Sequence, residues 1–365
     1  MTKIKTGVFK NNAKIINTVV EKGNPYKEAI YLDFENGMVY GGYEDSVYKM
    51  RFPFTYEGDK HESFFIEANT FLSVCNKYEE LELNDFRFTC GKDKFKLATI
   101  KREFDSVINF DSVSGNRFDT KEFTQKLKES SQYASMEKEQ LKGIFLQDQL
   151  MVGFNGERLL MTKLEASTND YIVPLNVIKL ILATSNNVDV VLFKDETKVK
   201  IVIGDCELLI ANNNALSIPN FNTPQVQSVF KHNNFIKINA KEFHDGVEFI
   251  LSFASKNMNN RAKLIIKENE LILKNEESDC DVEKVLEITQ GDSELVDKEF
   301  WLNMSDVNIA CNSISKDENE TLKLRLPIDN SGSNKAICIS LDEEVNDKGE
   351  EIESNKEAVI VLIKV

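Results

Sequence analysis

Three acidic side chains stand close together near residue 280, and their type and spacing make them the first candidates for chemistry. Asp279, Asp281 and Glu283 occupy alternate positions, and grouped carboxylates are the ligands that Mg²⁺ and Ca²⁺ prefer. The stretch lacks the glycine and the terminal glutamate of an EF-hand loop. We interpret it as a solvated acidic loop. The alternative is a nucleic-acid enzyme, such as a nuclease, that uses these acids with a metal ion.

Other catalytic signatures are missing from the sequence. It contains no Walker-type phosphate loop and none of the motifs Gly-x-Ser-x-Gly, His-Glu-x-x-His or Gly-x-Gly-x-x-Gly. The six cysteines form no Cys-x-x-Cys pair and the three histidines are far apart, so no metal site is indicated. Cys75 and Cys311 fall on apolar helix stripes, where a free thiol acts as a small apolar residue. The sequence therefore predicts no catalytic residue, no metal, no cofactor and no enzyme.

The composition indicates a soluble, intracellular protein of more than one domain. The chain has 365 residues, of which 41% are hydrophobic, and this suffices for two or three cores. No apolar run approaches the roughly 20 residues that span a bilayer, and the N-terminus lacks the apolar run of a signal peptide. The expected location is the cytoplasm. The net charge of −15 taken alone argues against nucleic-acid binding, which usually requires a basic face, but lysines can still gather on one face.

Two apolar helix stripes each occur three times. Apolar residues spaced 4, 3 and 4 apart share one face of a helix. The first stripe comprises Phe9, Ala13, Ile16 and Val20; Phe123, Leu127, Ser130 and Ala134; and Phe243, Val247, Ile250 and Ala254. The second, spaced 3, 1 and 3 apart, comprises Phe71, Val74, Cys75 and Tyr78; Val177, Leu180, Ile181 and Thr184; and Val307, Ala310, Cys311 and Ile314. The copies of the first stripe begin 114 and 120 residues apart.

These repeats predict three domains that share one plan of helix, strands, helix and strands. We place the domains at 1–113, 114–228 and 229–365. Each is expected to be α+β, with two helices packed on antiparallel sheets. Asn155-Gly156 is a hairpin dipeptide, Pro174 is predicted to start a helix, and the polar stretch 342–356 is expected to be a solvated loop.

Short motifs along the whole chain resemble bacterial DNA sliding clamps, the β subunit of DNA polymerase III. Residues 95–100 (Phe-Lys-Leu-Ala-Thr-Ile) resemble the end of that family's first domain. Residues 154–159 (Phe-Asn-Gly-Glu-Arg-Leu) resemble its Thr-Asp-Gly-His-Arg-Leu, and residues 171–174 (Tyr-Ile-Val-Pro) its Ile-Val-Pro helix start. Residues 303–307 (Asn-Met-Ser-Asp-Val) resemble its Asn-Val-Ser-Tyr-Val. The order of the motifs and the chain length both fit the family.

The chain departs from the family pattern at several of these positions. Phe154 stands where Thr is usual, Glu157 where His is usual and Asp306 where Tyr is usual. The usual Phe-Pro after the first domain is Phe-Asp at 104–105, and the tail 361–365 (Val-Leu-Ile-Lys-Val) replaces Met-Pro-Met-Arg-Leu. The resemblance is therefore to a divergent clamp, of bacterial or phage origin.

The resemblance implies a ring-shaped, head-to-tail homodimer that encircles duplex DNA and acts as a polymerase processivity factor. Three DNA-clamp domains per chain would place helices toward the DNA and sheets outside. Lysines on the helices would then attract phosphates weakly and without sequence preference, which permits sliding. The candidate DNA-facing residues are Lys10, Lys14, Lys22, Lys126, Lys128 and Lys138.

The family also implies a pocket for short Gln-x-x-Leu-Phe-like peptides of the replicative DNA polymerase and other partners, between the second and third domains. The matching positions are Leu141, Phe154, Gly156, Arg158, Leu159, Pro219, Asn303, Ile360, Val361, Leu362 and Ile363; the alternative is that most of them are core strand residues. An ATP-dependent clamp loader would open the ring. Phe104 and Phe253 are the candidates for the contact between chains. The rival to the clamp is a non-catalytic scaffold protein of the same fold that does not encircle DNA.

Overall fold

The computed structural model describes most of the chain. The described residues are 1–21, 23, 25, 27–42, 46–100, 115–117, 120–135, 137, 143–184, 190–194, 198–211, 219–221, 223–230, 232–254, 260–277, 280–328, 335–342 and 356–362. The predicted loop falls largely on 343–355 and thus outside them. None of the helices in these ranges combines the length and the apolar character that crossing a membrane requires.

The described residues form eight α-helices and 25 β-strands. The helices are α1 (Gly7–Asn11), α2 (Ala13–Val19), α3 (Ala68–Cys75), α4 (Thr120–Ser131), α5 (Leu175–Thr184), α6 (Pro224–Phe230), α7 (Ala240–Leu251) and α8 (Met304–Ile314). The first ten strands are β1 (Thr2–Lys5), β2 (Ala29–Asp33), β3 (Met38–Gly41), β4 (Tyr48–Pro53), β5 (Tyr56–Gly58), β6 (Phe64–Glu67), β7 (Glu80–Asn84), β8 (Arg87–Cys90), β9 (Asp93–Lys96) and β10 (Thr99–Ile100).

The other strands complete four antiparallel sheets. They are β11 (Gly115–Arg117), β12 (Gly143–Phe154), β13 (Arg158–Pro174), β14 (Val190–Lys194), β15 (Lys198–Ile203), β16 (Cys206–Ala211), β17 (Phe235–Asn239), β18 (Arg261–Ile266), β19 (Glu270–Glu277), β20 (Cys280–Glu287), β21 (Gln290–Gly291), β22 (Glu299–Asn303), β23 (Thr321–Arg325), β24 (Ala336–Leu341) and β25 (Lys356–Val361). The predicted α+β class is confirmed.

The chain divides into two compact units. The first comprises 1–125 and 176–216, and the second comprises 126–175 and 217–365. The first unit holds a five-stranded sheet of order β5-β1-β7-β8-β9 and a nine-stranded sheet of order β10-β6-β2-β3-β4-β16-β15-β14-β11. Its core is rich in aromatic rings: Phe9 of α1 is fully buried and makes an edge contact with Phe71 of α3, with ring centres 5.0 Å apart.

The second unit is built around a seven-stranded sheet that is covered on both faces. The order of this sheet is β12-β13-β25-β24-β23-β17-β21, and a four-stranded sheet has the order β20-β19-β18-β22. Helices α7 and α8 pack side by side and contact strands of both sheets, while α6 contacts β24 and β25. Leu160 and Ile360 belong to the core around α7 and α8, and Leu159 and Val359 to the core around α6, as the period of two in strands requires.

Most described positions of the repeated stripes are buried, and Ala13, Val20, Val74, Tyr78 and Ala254 are partly buried. Phe123, Leu127, Ser130 and Ala134 are all buried, and so are Val307, Ala310, Cys311 and Ile314. In α7, Phe243, Val247 and Ile250 are fully buried, and Asn239 caps the helix because its side-chain oxygen accepts a hydrogen bond from the N–H of Glu242. Burial of one stripe per helix therefore stabilises each helix on its sheet.

Some local predictions were wrong. The first predicted helix is two helices that meet at Asn12. Pro174 ends β13 and α5 begins one residue later. Helix α6 was not predicted, because a seven-residue helix that begins at Pro224 carries too short an apolar pattern to stand out.

The three domain boundaries stay a prediction. Two strand pairs join neighbouring predicted domains: β4 pairs with β16, and β13 pairs with β25. Each of these pairs joins strands of two repeats into one continuous sheet. For this reason the chain divides into two compact units and not into three.

Gly153 of β12 offers a test of the packing in the second unit. A Cβ at this position would lie 2.1 Å from the carbonyl oxygen of Ser130 and 2.9 Å from Cβ of Tyr133. We expect Gly153→Ala to lower the free energy of unfolding by about 1–3 kcal/mol, since the backbone of α4 cannot move away cheaply. Urea unfolding followed through the fluorescence of the single tryptophan, Trp301, measures this loss.

Gly246→Ala in α7 is the matched control. Its Cβ would meet only side-chain ends, those of Leu286 at 3.0 and 3.2 Å and that of Leu273 at 3.4 Å, and alanine gains about 1 kcal/mol of helix propensity. A loss for Gly153→Ala no larger than that of the control would contradict the close approach of β12 to α4.

Candidate functional site

The predicted hairpin between β12 and β13 contains several of the candidate pocket residues. The side-chain oxygen of Asn155 accepts hydrogen bonds from the N–H groups of Glu157 and Arg158, both at 2.9 Å. Gly156 has φ +100°, a conformation that only glycine adopts without strain. The turn confirms the Asn-Gly prediction and places Arg158 at the first position of β13.

Arg158 links three elements of the second unit through its guanidinium group. Nη1 donates to the carboxylate of Asp306 on α8, and Nη2 donates to the carbonyl oxygen of Gln132 at 2.8 Å. The guanidinium carbon also lies 5.9 Å from the ring centre of Tyr133, which is fully buried. Burial raises the pKa of the Tyr133 hydroxyl, so the ring carries no charge at neutral pH.

The pair of Arg158 and Asp306 is shielded from water. The side chains are 19% and 7% exposed. Two charges at such a place attract each other strongly but have each lost their hydration, so neither tolerates the loss of the other. Asp306 stands where the resembled family has Tyr, and this partner of Arg158 was missed by the sequence analysis because the two residues are 148 positions apart.

A second ion pair joins β25 to α4. Nζ of Lys356, the first residue of β25, is 2.7 Å from Oε2 of Glu129 on α4 and 2.9 Å from the carbonyl oxygen of Ser313 on α8. The start of β25 is therefore fixed to both helices by charge-assisted hydrogen bonds.

The other candidate pocket residues fall on the two faces of the β13–β25 pair. On one face, Leu159 is buried and Phe154 is partly buried, with the ring of Phe154 5.8 Å from that of Phe221. On the other face, Ile360 and Leu362 are buried in the core around α7 and α8. The burial of Leu159, Ile360 and Leu362 supports the alternative, which is that these three are core strand residues.

The exposed members of the set are few. Val361 is 41% exposed and its N–H donates to the carbonyl oxygen of Glu157 at 2.8 Å, which brings it beside the Asn155 turn. Pro219 is partly buried. Asn303 caps α8, since its side-chain oxygen accepts from the N–H of Ser305 at 2.9 Å. Leu141 and Ile363 lie outside the described residues.

The described candidate lysines are of two kinds. Nζ of Lys14 donates to the carbonyl oxygen of Ala183 at 3.3 Å, and Nζ of Lys126 donates to that of Lys163 at 2.8 Å. Lys10, in the last turn of α1, is partly exposed, and Lys128 on α4 is exposed. Lys22 and Lys138 lie outside the described residues.

An exposed aromatic pair marks the end of α7. Phe249 and Phe253 are 42% and 44% exposed, with ring centres 5.2 Å apart and ring planes at 61° to each other. Phe253 was predicted for a contact between chains. Its neighbour Phe249 was missed, although the spacing of four residues, off the buried stripe, could have indicated it. Phe104 lies outside the described residues.

Two edge strands carry charges of opposite sign. β9 is the last strand of the five-stranded sheet and exposes Lys94 and Lys96 together with one acid, Asp93. β20 is the last strand of the four-stranded sheet and exposes Asp281, Glu283 and Glu287 together with one lysine. Neither strand has a second neighbour among the described strands, and an edge of this kind can pair with a further strand.

The acids around residue 280 belong to this edge. Asp281 and Glu283 are exposed on β20, and Asp281 is 3.7 Å from Nζ of Lys274. Asp279 lies outside the described residues. Within the described part of the chain, no three or more His, Cys, Asp or Glu residues are grouped so that they could hold a metal ion.

The cysteines on the helix stripes are core residues. Cys75 and Cys311 are fully buried, and burial raises the pKa of both thiols to about 12. A thiol of this kind is protonated and unreactive at neutral pH, as expected for a small apolar residue.

Comparison with known proteins indicates the fold. No protein-family model and no curated protein matches the chain. The β sliding clamp of Caulobacter crescentus has a TM-score of 0.79 and 15% identity, and a DNA polymerase sliding clamp from Pseudomonas aeruginosa has 0.76 and 14%. The DNA polymerase III β subunit of Thermotoga maritima has 0.74 and 17%. All of this chain and all of each of those chains is covered, so the resemblance seen in the short motifs is confirmed for the fold.

We expect Asp306→Ala to lower the free energy of unfolding by about 3–5 kcal/mol, because it leaves the shielded guanidinium of Arg158 without its counter-charge. Urea unfolding followed through Trp301 measures the effect. The control is the double variant Arg158→Met with Asp306→Leu, which removes both charges and should regain most of the loss. Equal losses of unfolding free energy in the single and double variants would show that the missing counter-charge is not what destabilises Asp306→Ala.

Proposed function

We propose, from the sliding-clamp fold that this chain shares with those bacterial proteins, that it is a DNA polymerase processivity factor. In this proposal two copies form a ring around duplex DNA and tether the polymerase and other partners through a peptide pocket. The ring works without catalysis, in the cytoplasm of a bacterial or phage-infected cell. The match of the whole chain to whole clamp chains carries the proposal, and the threefold repeat of buried stripes supports it.

The hold on DNA is topological, so strong contacts are unnecessary. The chain has a net charge of −15, and weak attraction of phosphates to a few helix lysines suits a protein that slides. Of the four candidate lysines that the structure describes, Lys10 and Lys128 suit this attraction best. The other two, Lys14 and Lys126, also bind backbone carbonyl groups. Lys22 and Lys138 remain candidates from the sequence.

Loading requires a second protein. The sequence has no phosphate-binding loop, so the energy for opening a closed ring must come from elsewhere. An ATP-dependent clamp loader is the partner of that kind in the proposal.

The contact between copies is proposed to join the basic edge strand β9 of one chain to the acidic edge strand β20 of the other. A head-to-tail contact of unlike surfaces closes into a ring when the rotation is right. Lys94 and Lys96 would then face Asp281 and Glu283, with opposite charge across the new strand pair. The exposed rings of Phe249 and Phe253 supply apolar area, which a stable interface needs at its centre.

The partner pocket is proposed where the Asn155 turn meets the end of β25. The partly buried Phe154 and the exposed Val361 offer apolar surface, and Arg158 supplies a polar group. Apolar surface with few polar groups suits a peptide anchored by Leu and Phe side chains. Leu159, Ile360 and Leu362 would support the pocket from the core.

The central test of the ring is its mass in solution. Light scattering on a sizing column should give about 83 kDa, twice the chain mass of 41.7 kDa, and this value should persist on dilution. Lys94→Glu with Lys96→Glu should give monomers because two acidic edges repel each other, and so should Asp281→Lys with Glu283→Lys because two basic edges do.

Mixing these two double variants provides the control. Each contact in the mixed ring pairs an acidic edge with a basic edge, so the dimer mass should return. A wild-type chain that is strictly monomeric would contradict the ring and favour the non-catalytic scaffold of the same fold. Dimers in both variants alone would contradict these two edges.

The pocket is tested with a synthetic Gln-x-x-Leu-Phe-type peptide and titration calorimetry. Phe154→Ala with Val361→Ser should weaken binding about tenfold or more, because the peptide's apolar side chains lose their contact area. Val47→Ser, at a valine that is 50% exposed on the other unit, is the control and should bind as the wild type does. Unchanged affinity in the double variant would place the pocket elsewhere.

A further inference from the structure

An arginine lies on the chain's single tryptophan at one edge of the second unit. Arg261 begins β18 and Trp301 lies on the neighbouring edge strand β22. The guanidinium carbon of Arg261 is 5.2 Å from the ring centre of Trp301, within the range of a cation–π contact. Both side chains are partly exposed.

The charge of Arg261 is not compensated within the described part of the chain. The neighbouring Lys263 also lies over Trp301, at 5.1 Å, but its Nζ is 2.8 Å from Glu276 and 3.5 Å from Glu299. Arg261 has no such ion pair among the described residues, and its Nε is buried without a hydrogen-bond partner. A buried donor without an acceptor is costly to a folded protein, and the rest of the guanidinium belongs to a partly exposed side chain that a carboxylate from outside can reach.

The chemistry of this donor selects a carboxylate. A guanidinium is planar, and two of its N–H groups match the two oxygens of a carboxylate. The same sheet carries exposed acids, which are Glu299 on the neighbouring strand β22 and Asp281 and Glu283 on the far edge strand β20. These acids repel the repeated phosphates of a nucleic acid. A single carboxylate can still bind Arg261, the cation that has no ion pair among the described residues.

The position of Arg261 places it beside Asn303, one of the candidate residues of the peptide pocket. Its Cα is the strand partner of Asn303, the residue that caps α8. The N–H of Met304, the first residue of α8, donates to the carbonyl oxygen of Asn260 at 3.0 Å, so the start of β18 and the start of α8 are joined. A peptide held near Asn303 therefore has Arg261 one strand away.

We propose that Arg261, held by Trp301, binds an acidic side chain of the same partner peptide that occupies the pocket. The inference rests on the proposed function, since the pocket brings the peptide to this edge. It makes the preferred partner a peptide with apolar anchors and an acidic residue flanking them.

The experiment uses the full-length protein and a matched pair of synthetic peptides. Both contain Gln-x-x-Leu-Phe; one has a Glu on each side of the motif and the other has Gln at those two positions. Titration calorimetry should give the Glu peptide about tenfold tighter binding to the wild type, as expected for one charge-assisted hydrogen bond. Seating of the carboxylate should also change the emission of Trp301, the only tryptophan.

Variants separate this site from general charge attraction. In Arg261→Gln the two peptides should bind equally, at the affinity of the Gln peptide. In Lys263→Gln, which removes a neighbouring cation over the same ring, the preference for the Glu peptide should remain. Arg261→Lys should keep only part of it, because an ammonium group cannot bind two oxygens in the same plane.

The outcomes are distinguishable. If both peptides bind the wild type equally, or if Arg261→Gln keeps the full preference, the acidic site at Arg261 is refuted and the pocket stands. If neither peptide binds, the pocket of the proposed function is refuted and this inference with it.

Discussion

The pairing of β13 with β25 is the contact on which the second unit depends. Arg158 lies opposite Ile360 in this pair, and Leu159 lies opposite Val359. Without it the C-terminal strand would have no neighbour on one side, and the seven-stranded sheet would end at β25. The pair also fixes which side chains face each core, because a slip by one residue would exchange Leu159 with Arg158 between the two faces.

At this strand pair of a strongly acidic chain, two cations each bind a carboxylate and a backbone carbonyl group. Arg158 holds Asp306 and the carbonyl group of Gln132, and Lys356 holds Glu129 and the carbonyl group of Ser313. Both cations connect strands to helices at shielded places, where the dielectric is low and an ion pair constrains geometry more than at the surface. The opposite charges of β9 and β20 act instead at exposed edges, where they can favour one partner orientation over another.

The sequence was informative where a pattern is local. The stripe through Phe243 and Val247 predicted the buried face of α7, and Asn155-Gly156 predicted the turn before β13, because helix period and turn geometry depend on neighbouring residues. Contacts between distant residues left no such trace. The bond from Arg158 to Asp306 and the stacking of Arg261 on Trp301 depend on strand register and helix placement, which only the folded chain fixes.

Retention of the protein on circular DNA tests the proposed clamp function most directly. The protein should be loaded with a bacterial clamp loader and ATP on nicked circular DNA, separated from free protein by gel filtration, and measured before and after the circle is cut once. A clamp that holds DNA by topology stays on the circle at a salt concentration that screens surface charges and leaves through the ends after cutting. Equal retention on circular and linear DNA, or none on either, would contradict a ring around the duplex.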